Sequence, residues 1–170
     1  MSAAAPGTVG FEPDEIDVSA STRSARLKWV VVVNGDLPPG RAVNAAVCVA
    51  GATATGVHGL LGPGATDASG NEHPGLPWAG CTVLVADGET LRTVRAKGGA
   101  HEGVFVADMP AAAQETRVYD EYLQSMRTAD PGAVDYLAVS LVGPRNRIDR
   151  IVGRLPLMPR AAPARRAVDW

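Results

Sequence analysis

The chain has 170 residues, 46% of them hydrophobic and 20% charged, which suits one continuous core and excludes a second full domain. A formal charge of -2 excludes an overall basic field of the kind that drives non-specific binding to nucleic acid or anionic membrane, although a local basic patch would be compatible with it. Two cysteines, Cys48 and Cys81, are too few for a disulfide framework or a thiolate zinc site and are expected as reduced, buried thiols.

Residues 1–24 mix Ala, Gly, Pro, Ser, Thr and acidic residues without periodicity and read as a flexible leader that buries little. Residues 159–170 read as a flexible tail, so a single α/β domain is expected over 25–158. Trp29 to Val33 is a short β-branched run, the pattern of a strand covered on both faces. Asn34-Gly35-Asp36 breaks it, with Asp36 as helix N-cap or turn residue, and Pro38-Pro39 opens the next element. Arg41 to Ala54 is apolar on almost every side and predicts a helix packed tightly into the core.

Residues 59–80, rich in Gly and Pro, form a long loop of the kind that often serves as a lid or binding segment. Cys81 to Ala86 is a second strand and Glu89 to Ala100 an amphipathic helix ended by Gly98-Gly99. Val104 to Ala107 is a third strand closing on Asp108. Ala111 to Arg127 has helical spacing, with Val118, Tyr122, Leu123 and Met126 on one face. Val134 to Val142 is a fourth strand, and Asn146 to Leu155 a last helix with Ile148, Ile151, Val152 and Leu155 inward. This order predicts a three-layer α/β/α fold around a mixed four-stranded sheet. No run approaches the roughly 18 apolar residues of a spanning helix, and the N-terminus has no basic region followed by an apolar run, so a cytoplasmic protein with no membrane partner is expected.

The segment Lys28-Trp-Val-Val-Val-Val-Asn-Gly-Asp36-Leu37-Pro-Pro-Gly40 resembles the opening of the peptidyl-tRNA hydrolase II family, and Gly143-Pro144 followed by Gly153-Arg-Leu155-Pro-Leu157 resembles its close. In finer detail the chain resembles the bacterial family known as domain of unknown function 2000 (DUF2000), through Asp36-Leu-Pro-Pro-Gly40 with Asn44, Gly70-Asn-Glu-His-Pro-Gly75, Thr116-Arg-Val-Tyr119-Asp-Glu-Tyr122 and the same C-terminal run. The resemblance covers about residues 26–158 and implies a peptidyl-tRNA hydrolase II-like fold. It also implies catalytic roles for Lys28, which would stabilise negative charge, and for Asp108, which would position or activate water. The chain departs from the hydrolases at three places: counting from the motif glycines puts Ala138 where they keep a threonine, and Ala45 and Cys48 where they keep glutamine and histidine.

Beside Lys28 and Asp108, the expected ligand-binding residues are Asp36, Asn44, His73, Thr116 and Tyr119. Asp108 ends a strand, where ligands of open α/β sheets gather, but strand-ending aspartates also cap helices. Asn44 is a polar residue in an apolar helix and either bonds the neighbouring loop or faces a ligand. Thr116, Tyr119 and Tyr122 share a helical face, which usually marks core residues with a polar tip. Arg145, Arg147 and Arg150 follow Gly143-Pro144 where a helix begins, a place suited to an anion. His58, His73 and His101 show no metal-ligand spacing and no nucleotide loop occurs, so neither metal nor cofactor is expected.

The leading expectation is a protein that binds, and in its enzymatic form hydrolyses, a small anionic or amide- or ester-containing molecule in a pocket near Lys28, Asp36, Asn44 and Asp108. The alternatives are true peptidyl-tRNA hydrolysis, with tRNA a disfavoured partner, and a non-catalytic homodimeric or partner-binding module.

Overall fold

A computed structural model describes residues 8–158, so the expectations for residues 1–7 and 159–170 lie outside the described residues. Four strands make a mixed sheet: β1 (Leu27–Asn34), β4 (Cys81–Ala86), β5 (Phe105–Pro110) and β6 (Tyr136–Pro144), in the spatial order β4-β1-β6-β5. β1 and β4 run parallel, and β6 lies antiparallel between β1 and β5. A two-stranded hairpin, β2 (Ala65–Thr66) with β3 (Glu72–His73), stands apart in the long loop.

The alternation of side chains along a strand sorts the core into two layers. Trp29, Val31 and Val33 of β1 point with Ala138 and Val142 of β6 toward α1 (Pro39–Gly56), which offers Ala42, Ala45 and Val49. Val30 and Val32 point the other way, with Val139 and Leu141, toward α2 (Gly88–Gly99) and α5 (Arg145–Val152), which offer Leu91, Val94, Ile148 and Ile151. The expected sheet with helices on both faces is therefore present, and β1 is buried on both sides as its composition required.

Three expectations are corrected. The helix read over 111–127 is two, α3 (Ala112–Glu115) and α4 (Tyr119–Thr128), because Thr116 and Val118 between them are extended. The Thr116 hydroxyl donates to the Ala112 carbonyl at 2.9 Å, the side-chain competition that ends helices at threonine. No residue of α4 is buried, and Val118 and Leu123 are exposed, so the apolar face read from spacing meets no sheet.

The leader also buries more than its composition suggested. Phe11 is only 2% exposed, its amide donates to the His58 carbonyl at 3.0 Å, and its ring stands edge-on to Trp78 at 4.8 Å. Arg26 fastens the same segment by donating to the Gly10 carbonyl at 3.0 Å and to the Glu15 carboxylate. Both cysteines, finally, are free and not sealed in the core: Cys48 lies on α1, and Cys81 starts edge strand β4, accessible as a residue although its neighbours desolvate the thiol.

The other edge of β4 is covered. Val85 donates to the Pro156 carbonyl and Met158 to the Val83 carbonyl, each at 3.0 Å, so the chain after α5 closes an edge that would otherwise offer free backbone groups. Among the described residues no helix is long and apolar enough to cross a membrane.

Candidate functional site

Lys28 and Asp108 do not meet. Both side chains lie on the α2/α5 side of the sheet, Lys28 donating to Asp149 of α5 at 2.5 Å and Asp108 accepting from Arg95 of α2 at 3.0 Å. Along β6, however, Lys28 is level with Gly143 and Asp108 with Val139. Four residues of strand span about 13 Å, and the intervening strand adds about 10 Å sideways, so the two occupy opposite ends of the sheet. One pocket holding both, as the hydrolase resemblance implied, does not form.

Asp36 and Asn44 lie with Asp108 toward the carboxyl end of β1. The Asp36 amide donates to Asn34 Oδ1 at 2.9 Å, so Asp36 belongs to a side-chain-closed turn, while the α1 N-cap is Pro38. Asn44 is exposed, and its Oδ1 accepts from Gln114 Nε2 at 2.9 Å, a partner on α3 and not the adjacent loop. Gln114 also donates to the Arg41 carbonyl at 3.0 Å and accepts from Arg41 Nε at 2.7 Å, tying α3 to the first turns of α1. Sequence reasoning passed over Gln114 because nothing local marks which distant element a glutamine will bridge.

His73 is exposed in β3, 3.8 Å from Asp67, whose carboxylate also closes the hairpin by accepting from the Ser69 and Asn71 amides. A hydrogen bond from the Asn71 side-chain amide at 2.7 Å, and then the one from its backbone amide, hold the Asp67 carboxyl below the usual range. Thr116 and Tyr119 do come together, with Arg117 and Tyr122, around a shallow depression of about 230 Å³. Tyr119 there is 75% exposed and stands edge-on to Tyr122 at 5.5 Å.

At the hydrolase-threonine position, Ala138 is fully buried between Val33 and Met109 with no space for a substrate. Two residues further on the same face, Ser140 accepts from Trp29 Nε1 at 2.8 Å and lies 2.7 Å from the Thr53 hydroxyl, which itself donates to the Val49 carbonyl. Both hydroxyls are fully buried and bonded, which makes this trio a structural brace between α1, β1 and β6.

Among the described residues a cavity opens at the Lys28 end. It is a cleft of about 440 Å³ lined by Thr22, Arg23, Leu27, Lys28, Gly80, Cys81, Thr82 and Arg145. Arg145 begins α5, and one of its terminal nitrogens donates to the Arg23 and Ala25 carbonyls, which fixes the strand-leading loop against the helix. A guanidinium has five donors, so these bonds leave others for a ligand. Burial of the Cys81 thiol pushes its pKa up to about 12, which keeps it protonated and a poor nucleophile at neutral pH. The cleft therefore carries three cations and a neutral thiol, with Asp149 as counter-charge to Lys28: the chemistry of an anion receptor. Only Lys28 and Arg145 of this set stood out in the sequence; Arg23 reaches the cleft because Arg145 holds its backbone there. Among the described residues no three His, Cys, Asp or Glu side chains gather as metal ligands.

A family model described as "Protein of unknown function (DUF2000)" matches residues 27–159. No curated protein matches the chain. Among solved structures, a protein of unknown function from Agrobacterium tumefaciens strain C58 is similar, with 19% identity, a TM-score of 0.70, and coverage of 78% of this chain and 97% of that one. At that identity the likeness speaks for the fold alone.

Proposed function

The chain belongs to the DUF2000 family, and from that premise we propose that it is a binding protein for a small anion, built on a variant of the peptidyl-tRNA hydrolase II fold that has not kept the hydrolase site. The observation that carries this reading is the convergence of Arg23, Lys28 and Arg145 on one cleft in a chain whose formal charge is -2. Its volume of about 440 Å³ falls within the roughly 300–1,000 Å³ common for small-molecule sites. The fold assignment is supported by Lys28 at the head of β1 and Gly143-Pro144 at the junction of β6 and α5. Hydrolysis is disfavoured by the separation of Lys28 from Asp108 and by the closed apolar packing around Ala138. Residues 25–158, with the docked segment before them, act in this reading as one domain.

Titration calorimetry with inorganic phosphate and with acetate tests the proposal. Both should bind, and Arg23→Ala or Lys28→Met should each weaken binding by about tenfold, the equivalent of one charge-assisted hydrogen bond. Lys28→Met loses only a partly exposed ion pair, so the fold should persist. Affinities untouched by either substitution would overturn the reading. So would release of tRNA from N-acetyl-aminoacyl-tRNA that Asp108→Asn abolishes.

A further inference from the structure

Cys81 lines two cavities. One is the cationic cleft; the other is a groove of about 360 Å³ between α1 and β4, walled by Trp29, Val31, Val43, Val47, Val83 and Met158. No charged side chain lines the groove, and Val43 and Val47 on its lip are 57% and 63% exposed. The groove exists because α1 is apolar nearly all round, while the sheet covers only the side carrying Ala42, Ala45, Val49 and Thr53. Ala46 and Ala50, which also line it, are too small to fill the gap toward β4. Backbone pairing is no alternative use for this edge, since Pro156 and Met158 already occupy the outer hydrogen-bonding groups of β4.

An apolar trough and a cationic cleft that share Cys81 at the start of β4 have together the polarity of an amphiphile. Given the anion reading of the cleft, on which this rests, we infer that cleft and groove form a single bipartite site for a soluble, unbranched acyl carboxylate. The carboxylate sits at the strand ends beside Arg23 and Arg145, where Lys28 approaches from the other face of the sheet, the chain rounds Cys81, and the hydrocarbon lies across Trp29 and Val31 beneath Val43 and Val47. The neutral Cys81 thiol suits the junction, being small, weakly polar and uncharged.

The test is calorimetric titration of the full chain with acetate, hexanoate and submicellar decanoate. Affinity should rise roughly two- to fourfold per added methylene, the range for half to full burial of each group. Ala46→Trp, which fills the groove, and Val47→Glu, which puts a like charge on its exposed lip, should each abolish the dependence on chain length and leave acetate binding unchanged. Acetate and decanoate binding with equal affinity would overturn the bipartite site and leave the anion reading standing, whereas failure of all three, with phosphate, would overturn both. Decanoate binding that survives Ala46→Trp and Val47→Glu would also overturn it. Two further results would do the same by naming another occupant: a concentration-dependent dimer that Val47→Glu dissociates, or sedimentation with phosphatidylglycerol vesicles that Val47→Glu abolishes.

Discussion

The brace between Trp29, Ser140 and Thr53 shows what a single hydroxyl does in an apolar layer. Ser140→Ala would leave the buried Trp29 Nε1–H without an acceptor, and an orphaned donor costs about 1–3 kcal/mol. Urea denaturation should show that loss with an unchanged slope. Sequence reasoning passed this over, treating Trp29 only as part of an apolar strand, although an indole N–H buried there must find a partner and Ser140 is the hydroxyl in Leu-Ala-Val-Ser-Leu-Val. The cysteines were not legible: apolar neighbours suggested burial, while Cys48 falls on the side of α1 that no sheet covers. Alkylation at pH 8 should therefore modify Cys48 first and leave Cys81, with its thiol pKa near 12, nearly untouched; Cys48→Ser should remove the fast phase.

At the scale of elements, strand reading succeeded where both faces are covered. The Val30–Val33 centre coincides with β1, whose continuous β-branched run is buried on both faces, and Cys81 to Ala86 coincides with β4 although that edge strand buries only Leu84. α2 was readable from its closing Gly98-Gly99, whereas its N-cap, Asp87, which accepts from the Thr90 amide at 2.8 Å, was not read from the sequence. Gly98 has a second role that no local signal revealed. A Cβ there would stand 2.6 Å from Leu141 Cδ2 and 3.0 Å from Val106 Cγ2 in the buried layer. Gly98→Ala should thus destabilise by about 1 kcal/mol despite the better helix former, since overpacking of roughly 1–3 kcal/mol outweighs a propensity gain of about 1 kcal/mol. A lowered midpoint in thermal melts would show it. The α3–α4 break was missed because side-chain spacing continues across Thr116 and Val118 although the backbone does not. The candidate site was misread in the same way: Asp108, expected to close the third strand, lies within β5 two residues before its end, and which end of the sheet it and Lys28 occupy depends on pairings that no local pattern encodes.

For the molecule as a whole, the docked N-terminal segment couples stability to acid. Glu15 beside Arg26 is held at about 2, below its ordinary 4.5, first by the hydrogen bond from the Arg26 guanidinium. Because the folded-state value is the lower, this contribution is present above pH 4.5 and is lost as pH falls toward 2. The pair is largely solvated, so the effect should be modest, and Glu15→Gln should flatten the stability profile within that window only. Phe11→Ala, by contrast, should cost about 3–5 kcal/mol at every pH, as for other fully buried aromatics, and should speed amide exchange from residue 8 to 24.

The central pairing of β1 with β6 also has a consequence for biosynthesis. β1 ends at residue 34 and β6 begins at residue 136, so the most apolar strand emerges from the ribosome long before its antiparallel neighbour exists. At about 5–20 residues per second the interval is roughly 5–20 seconds. During that time Val30–Val33 has at most β4 beside it on one flank, so the central pairing of the sheet can form only once residues 136–144 are available.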